Sequence, residues 1–174
     1  AIGDALPPTL LLACVAMLFA SIFGITIGLT IAVNGPSKFG NFIISICALG
    51  MSAPSFVVAI IVAWLFGYVL HSYTGLPMTG ALVVVDPFEG PKFACSHIIL
   101  PALTLGIRPL AVIVQLSRNS ALEVLDQPFI RTAKAKGLSK SRIVFKHVLR
   151  NSLNPVITAT SGWFASMLAG AIFV

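Results

Sequence analysis

Charge is what this chain has least of. Only 9% of its 174 residues are Asp, Glu, Lys or Arg, against about 25% in a typical soluble domain. No charged residue occurs between Asp4 and Lys38, and none follows Arg150. Apolar stretches of about 18 residues or more read as membrane-spanning helices, because hydrocarbon offers the backbone no hydrogen-bond partner. The composition therefore excludes a soluble domain and assigns an integral membrane protein. Cysteine is scarce too: Cys14, Cys47 and Cys95 are odd in number and widely spaced. That pattern argues against a disulfide framework, and no His lies near enough in sequence to complete a metal site. The cysteines are expected to be packing residues. A secretory signal would need a basic start and a short apolar run, whereas Asp4, Pro7 and Pro8 precede a much longer one.

Enzymatic machinery is also missing. There is no G-x-x-x-x-G-K-[ST] phosphate loop; the nearest match, "GPSKFGN", ends in Asn41 where Lys is needed. The chain is not expected to bind ATP or any other cofactor itself. Asp4, Asp86, Glu89, Glu123 and Asp126 form no acid pair inside an apolar run. An intramembrane protease or acyltransferase would want a His or an acid within a span, so no catalytic residue is assigned.

What is there is oil, divided by turns. Four spans can be drawn, over about Leu6–Val33, Phe42–Leu70, Ile98–Leu125 and Leu153–Val174. "NGPSKFGN" closes the first with strong turn residues. Lys38 and the 126–150 segment then fall on one side of the bilayer, and Asp86, Glu89 and Lys92 on the other. Loops rich in Lys and Arg are cytoplasmic, so the 126–150 segment is expected inside and the 71–97 loop outside. Ala16, Ala20, Gly24, Gly28 and Ala32 recur every four residues, a ridge of small side chains along which another helix can approach closely. Thr158, Gly162, Ser166 and Gly170 repeat the pattern in the fourth span. The expected fold is thus all-α, a tightly packed polytopic bundle.

In the second span, "MSAPSF" puts Pro54 near the middle, where a missing donor predicts a kink. Ser52 and Ser55 could satisfy the freed carbonyls or face a polar pathway. In the third span, Arg108 lies ten residues beyond Ile98, or about 15 Å deep at 1.5 Å per residue. A charge at that depth should face the bundle interior or a water-filled cavity, and it marks a pathway by default. Structural alternatives remain, an ion pair or a position nearer the interface.

The cationic residues are gathered at one place. "RTAKAKGLSKSRIVFKHVLR", residues 131–150, holds seven of the eleven Lys and Arg. Buried in the bilayer, those seven would cost about 20 kcal/mol at about 3 kcal/mol each, so the segment is no span. It reads as two short helices around a turn. Asp126 offers an N-cap and Pro128 suits a first helical turn; Gly137 sits where a left-handed terminator belongs, and Ser139 can cap the second helix. On that second helix Arg142, Lys146 and Arg150 form one side, with Val144, Phe145, Val148 and Leu149 opposite. The first is slim, with Thr132, Ala133, Ala135 and Gly137, and suits insertion into a groove on another protein. Contact with anionic membrane lipid is the plainer reading. Nucleic-acid binding is disfavoured, because only Phe129 and Phe145 are aromatic here.

"LEVLDQPFIRTAKAKGLSKSRIVFKHVLRNSLNP" resembles the cytoplasmic EAA loop of the permease subunits of bacterial ABC importers. With "LPALTLGIRPLAVIVQLSRNS" and "MSAPSF", it is similar more narrowly to the oligopeptide, dipeptide and nickel branch, and to the first of its two permease subunit types. The general motif is Glu-Ala-Ala, three residues, Gly, nine residues, then Ile-x-Leu-Pro. Arg131-Thr132-Ala133 stands for the acidic triplet, in the form usual for the peptide branch, and Gly137 is at the right spacing. Leu149 fits, while His147 and Arg150 depart from the motif.

The resemblance implies a type I importer permease fold in the bacterial inner membrane. It implies that Phe129, Arg131, Thr132, Ala133, Ala135, Gly137 and Leu138 belong to a coupling helix that docks in a cleft of an ATP-binding subunit. The implied partners are a second homologous permease, two ATP-binding subunits carrying ATP and Mg, and an extracytoplasmic solute-binding protein. Family members carry a further span before the position of Ala1 and another after that of Val174. Ser52, Pro54, Ser55 and Arg108 are the candidate pathway residues, with an acid of the second permease as the alternative partner for Arg108. The expected cargo is peptide, with nickel or another small solute as the alternative; a passive channel or assembly subunit is the rival of a different class.

Overall fold

The computed structural model describes residues 2–77, 83–86, 90–93 and 96–171. In chain order these form α1 (Ile2–Asn34), α2 (Lys38–Ser52), α3 (Ser55–Trp64) with a π turn (Leu65–Val69), and α4 (His71–Thr74). A short antiparallel hairpin comes next, β1 (Val83–Asp86) with β2 (Gly90–Phe93), pairing Val83 with Phe93 and Asp86 with Gly90. The rest is α5 (Ser96–Leu125), α6 (Pro128–Ala135), α7 (Lys140–Ile143) with a π turn (Val144–Val148), and α8 (Leu149–Ala171). The architecture is an all-α membrane bundle carrying one small hairpin. Glu89 and Cys95 altogether, and the side chains of Asp86 and Lys92, lie outside the described residues.

Among the described residues two helices are long and apolar enough to cross a bilayer, Pro7–Asn34 and His97–Leu125, and a bent pair makes a third if it counts as one span. The first two match the first and third expected spans. They are packed together by the small-residue ridge. Ala16 and Ala20 are fully buried, and a Cβ on Gly24 would stand 2.7 Å from Ile113 Cγ2. A Cβ on Gly28 would meet the Val114 carbonyl oxygen and come within 2.8 Å of Ser117 Cβ. From the other side, a Cβ on Gly106 would lie 2.9 Å from the Ala16 carbonyl oxygen. Only glycine permits so close an approach of two backbones. The pairs 16 with 106, 24 with 113 and 28 with 117 rise together, so α1 and α5 run parallel.

α8 runs the other way. Val148 packs with Ala32 and Ala121, Val156 with Ala20 and Ile113, and Met167 with Ala13 and Met17. These layers stack along the bundle. The fourth expected span, from Leu153, falls in the later part of α8, which among the described residues is not one of the helices long and apolar enough to cross a bilayer; residues 172–174 lie outside the description. Its small-residue repeat faces away from this chain: Thr158, Gly162 and Ser166 are not buried, and nothing lies within 4 Å of a Cβ on Gly162.

The second span is a break rather than a kink. α2 starts at Ser37, whose hydroxyl accepts from the Gly40 N–H at 2.9 Å. It ends at Ala53, which is extended (φ −71°, ψ 137°), and Pro54 is extended as well (φ −59°, ψ 136°). The chain direction changes by 119° there. A proline in a helix removes one hydrogen bond, but it also forces the residue before it out of the helical region. With two successive residues extended, the helix must restart. Cys47 is buried against Ala111 and Val114, as a packing residue should be, whereas Cys14 is exposed.

Candidate functional site

The basic segment is mounted on the ends of the long helices. α6 begins with Gln127 as N-cap (φ −66°, ψ 144°), not Asp126, and no side chain caps it. The reason is local: the residue preceding Pro128 is held in the extended region, and Gln127 occupies that place. Pro128 takes the first helical position, as expected. At the other end Gly137 is left-handed (φ 75°). The Leu138 N–H donates to the Ala133 carbonyl at 3.2 Å, and the Gly137 N–H to the Lys134 carbonyl at 2.9 Å. These two bonds are the 6→1 and 5→2 pair of a Schellman motif, and Leu138 packs beside Ala133 as that motif requires.

α6 is therefore a rigid, sharply terminated helix of eight residues. Its inner side carries Ile130, wholly buried, and Ala133, 6% exposed, against Ala32, Ala121, Ile143 and Val148. Its outer side presents Phe129, Arg131, Thr132 and Ala135, with Gly137 just beyond. The slim docking face expected of α6 includes Ala133; the structure turns that residue into the bundle, in one cluster with Ala32, Ala121, Ile143 and Val148. Leu138 is half-buried for the same reason. The Phe129 ring lies 6.5 Å from His147, centroid to centroid.

The expected second short helix is the start of α8. From Lys140 the backbone continues through the π turn at Val144–Val148 into α8 without a loop. Ser139 stands at the N-cap but makes no side-chain cap bond. Buried positions along this rod are Ile143, Val148, Ser152 and Val156, spaced by five, four and four. The extra residue of a π turn rotates the turn before it, and Phe145 is consequently 67% exposed instead of sharing a face with Val148. Arg142, Lys146 and Arg150 are exposed, as their spacing predicts.

Within the long helices, Arg108 projects from α5 on a face that α1 does not cover, and it has no hydrogen bond or ion pair among the described residues. Pro109, next to it, is fully buried. Two residues that sequence reasoning missed share the Arg108 face, Gln115 and Asn119. They lie seven and eleven positions beyond it, within about 20° on the helical wheel at 3.6 residues per turn. The signal was available in that spacing. Gln115 Nε2 donates to Met51 Sδ at 3.5 Å, which brings this face beside the α2–α3 break. Ser52 does not relieve the break: its hydroxyl donates to the Ala48 carbonyl at 3.0 Å, whereas the partner that Pro54 denies is the Gly50 carbonyl. The Ser55 side chain lies outside the described residues.

Residues 24–174 match the family described as binding-protein-dependent transport system inner membrane component. The chain is 38% identical, over 95% of its length, to the di/tripeptide transport system permease protein DppB of Pseudomonas aeruginosa, covering 54% of that protein. It is 36% identical over 94% of its length to the dipeptide transport system permease protein DppB of Escherichia coli, covering 53%. It is 38% identical over 99% of its length to the oligopeptide transport system permease protein OppB of Haemophilus influenzae, covering 53%. The chain spans about half the length of these curated relatives. Its apolar helices make it an integral membrane protein, and it belongs to the family of binding-protein-dependent transport system inner membrane components.

Proposed function

We propose that the chain is part of a multi-pass permease subunit of an ATP-driven peptide importer, with α6 as the helix that receives force from an ATP-binding subunit. The observation that carries this reading is the construction of α6. Ile130 and Ala133 key it into a layer where the ends of α1, α5 and the α7–α8 rod meet. A push on its exposed side is thus delivered to three long helices at once. Close packing transmits such displacements because interiors are stiff. ATP and Mg would reside on the partner subunits, and the complete assembly would include a second permease, two ATP-binding subunits and an extracytoplasmic solute-binding protein. The relatives' names, di/tripeptide, dipeptide and oligopeptide permease, favour peptide cargo over nickel.

Sidedness is argued from the same geometry. The parallel course of α1 and α5 requires the segment between them to recross the bilayer once, so the α2–α3 pair is best read as one broken span. The antiparallel α8 then supplies another crossing. With the Lys- and Arg-rich segment cytoplasmic, α6 faces the compartment that holds ATP. Arg108 lies on the translocation pathway in this reading, where it meets the C-terminal carboxylate of a peptide. The test is crosslinking in the assembled transporter. Ala135→Cys on the exposed side of α6 should be captured by a cysteine in the ATP-binding subunit. Ala133→Cys on the buried side should not. Capture of neither, in a complex that still assembles, would contradict the docking role.

A further inference from the structure

The polar face of α5 has more on it than a single charge. Arg108, Gln115 and Asn119 straddle the middle of the apolar helix His97–Leu125, over about 16 Å at 1.5 Å per residue. α1 packs elsewhere, against Gly106, Ile113, Val114 and Ser117. Asn119 is exposed and Gln115 half-buried. Their partnering is incomplete: Gln115 donates only to a thioether sulfur, and Asn119 accepts from the neighbouring Arg118 guanidinium at 3.2 Å while its own amide N–H groups have no partner among the described residues. A carboxamide whose donors are unmet in hydrocarbon costs a few kcal/mol, which weighs against lipid as what this face meets.

A second observation narrows what does meet it. Beside Gln115, the α2–α3 break leaves Ser52 and Pro54 exposed, with two extended residues in mid-sequence of an otherwise apolar pair. Non-helical backbone at membrane depth survives only where protein buries it or where it lines a water-filled cavity. A polar helix face and an opened backbone side by side describe one wall of an aqueous path.

We propose that Gln115 and Asn119 form a track that reads the main chain of a passing peptide, with Arg108 holding its C-terminal carboxylate. The proposal rests on the peptide-importer reading above. A carboxamide carries both a donor and an acceptor, which is the complement of a peptide group, and it is indifferent to the side chain beside it. A guanidinium gives the bidentate match to a carboxylate. The spacing sets a length. Arg108 and Gln115 are about 10 Å apart along the helix, the reach of about three extended residues at 3.3 Å each. A tripeptide can engage both, whereas a single amino acid reaches only one.

The test uses the assembled transporter with Cys14, Cys47 and Cys95 replaced, and Gln115→Cys, Asn119→Cys or Ile157→Cys added one at a time. Ile157 is an exposed apolar residue of α8 and serves as the control. A membrane-impermeant methanethiosulfonate should modify positions 115 and 119 during turnover, spare 157, and be slowed by saturating tripeptide. Labelling at 157 alone, or labelling unaffected by tripeptide, overturns the track. So does the absence of labelling at 115 and 119, which would place a helix of another subunit over this face. In the same preparation Gln115→Leu should lower tripeptide uptake about tenfold, the loss of one well-made hydrogen bond; unchanged uptake also overturns it. The two readings fail differently. If the unmutated transporter carries no peptide, the importer reading fails; if it carries peptide and these variants behave as the control, only the track does.

Discussion

Gly28→Ala puts the α1–α5 contact to a quantitative test. In an ordinary helix interior this change stabilises by about 1 kcal/mol, because Ala has the better helix propensity. Here the added Cβ would overlap the Val114 carbonyl oxygen and stand 2.8 Å from Ser117 Cβ and 3.0 Å from the Arg118 nitrogen. Two of those three atoms are backbone, so no side-chain rotation relieves the clash and the helices must part. Overpacking costs about 1–3 kcal/mol, and a gap of about 0.5–1 Å forfeits a quarter to a half of each neighbouring dispersion contact. The upper end applies, since the ridge runs on to Gly24 and Ala20, and the net loss is about 2 kcal/mol. Gly50→Ala is the matched control, for its Cβ would meet only Ile107 Cγ2 at 3.8 Å. The assay is thermal unfolding of the detergent-purified transporter at one fixed scan rate, as irreversible unfolding requires. Gly28→Ala should melt earlier than the parent and Gly50→Ala at or above it. Equal midpoints for the two variants would refute the close approach of α1 to α5.

Three further outcomes are expected. Gly137→Val should leave ATP hydrolysis running while uptake collapses, because a left-handed φ of 75° costs an L-residue about 1–2 kcal/mol and loosens the end of α6; the ratio of peptide moved to ATP hydrolysed measures it. Arg108→Gln should weaken uptake of peptides with a free carboxylate and spare amidated ones, read by competition in vesicles; equal effects on both would remove Arg108 from the pathway. Pro54→Ala restores an N–H and lets α2 continue towards α3, so transport should slow while assembly, followed by co-purification, is kept.

Some of this was legible in the residues alone. The four-residue ridge in α1 faces its neighbour as its spacing predicts, because close packing depends only on which face lacks side chains. Gly137 is left-handed because the helix-ending position selects glycine. The matching ridge in α8 faces outward, and spacing does not say which neighbour a ridge awaits. Pro54 foretold a disturbance, but its size depended on Ala53 also leaving the helix. The rod from Lys140 to Ala171 was hidden by a π turn, which breaks the 3.6-residue period on which the reading of Phe145 relied. Ala133 looked like part of a slim outer face, since a small side chain serves a buried contact and an open groove equally well. Gln115 and Asn119 become legible only from the helical face of Arg108, seven and eleven positions on, and not from its depth alone.

The central claim, that this membrane bundle transmits ATP-driven force to peptide movement, has one direct measurement. The complete transporter is reconstituted into liposomes, solute-binding protein and labelled tripeptide are supplied on one side, and ATP with Mg is supplied on the other. Peptide should accumulate only when ATP and both ATP-binding subunits are present, and accumulation should stop in the Gly137→Val variant. Peptide flux that is the same without ATP, or without the ATP-binding subunits, would contradict the account and make the chain part of a passive channel.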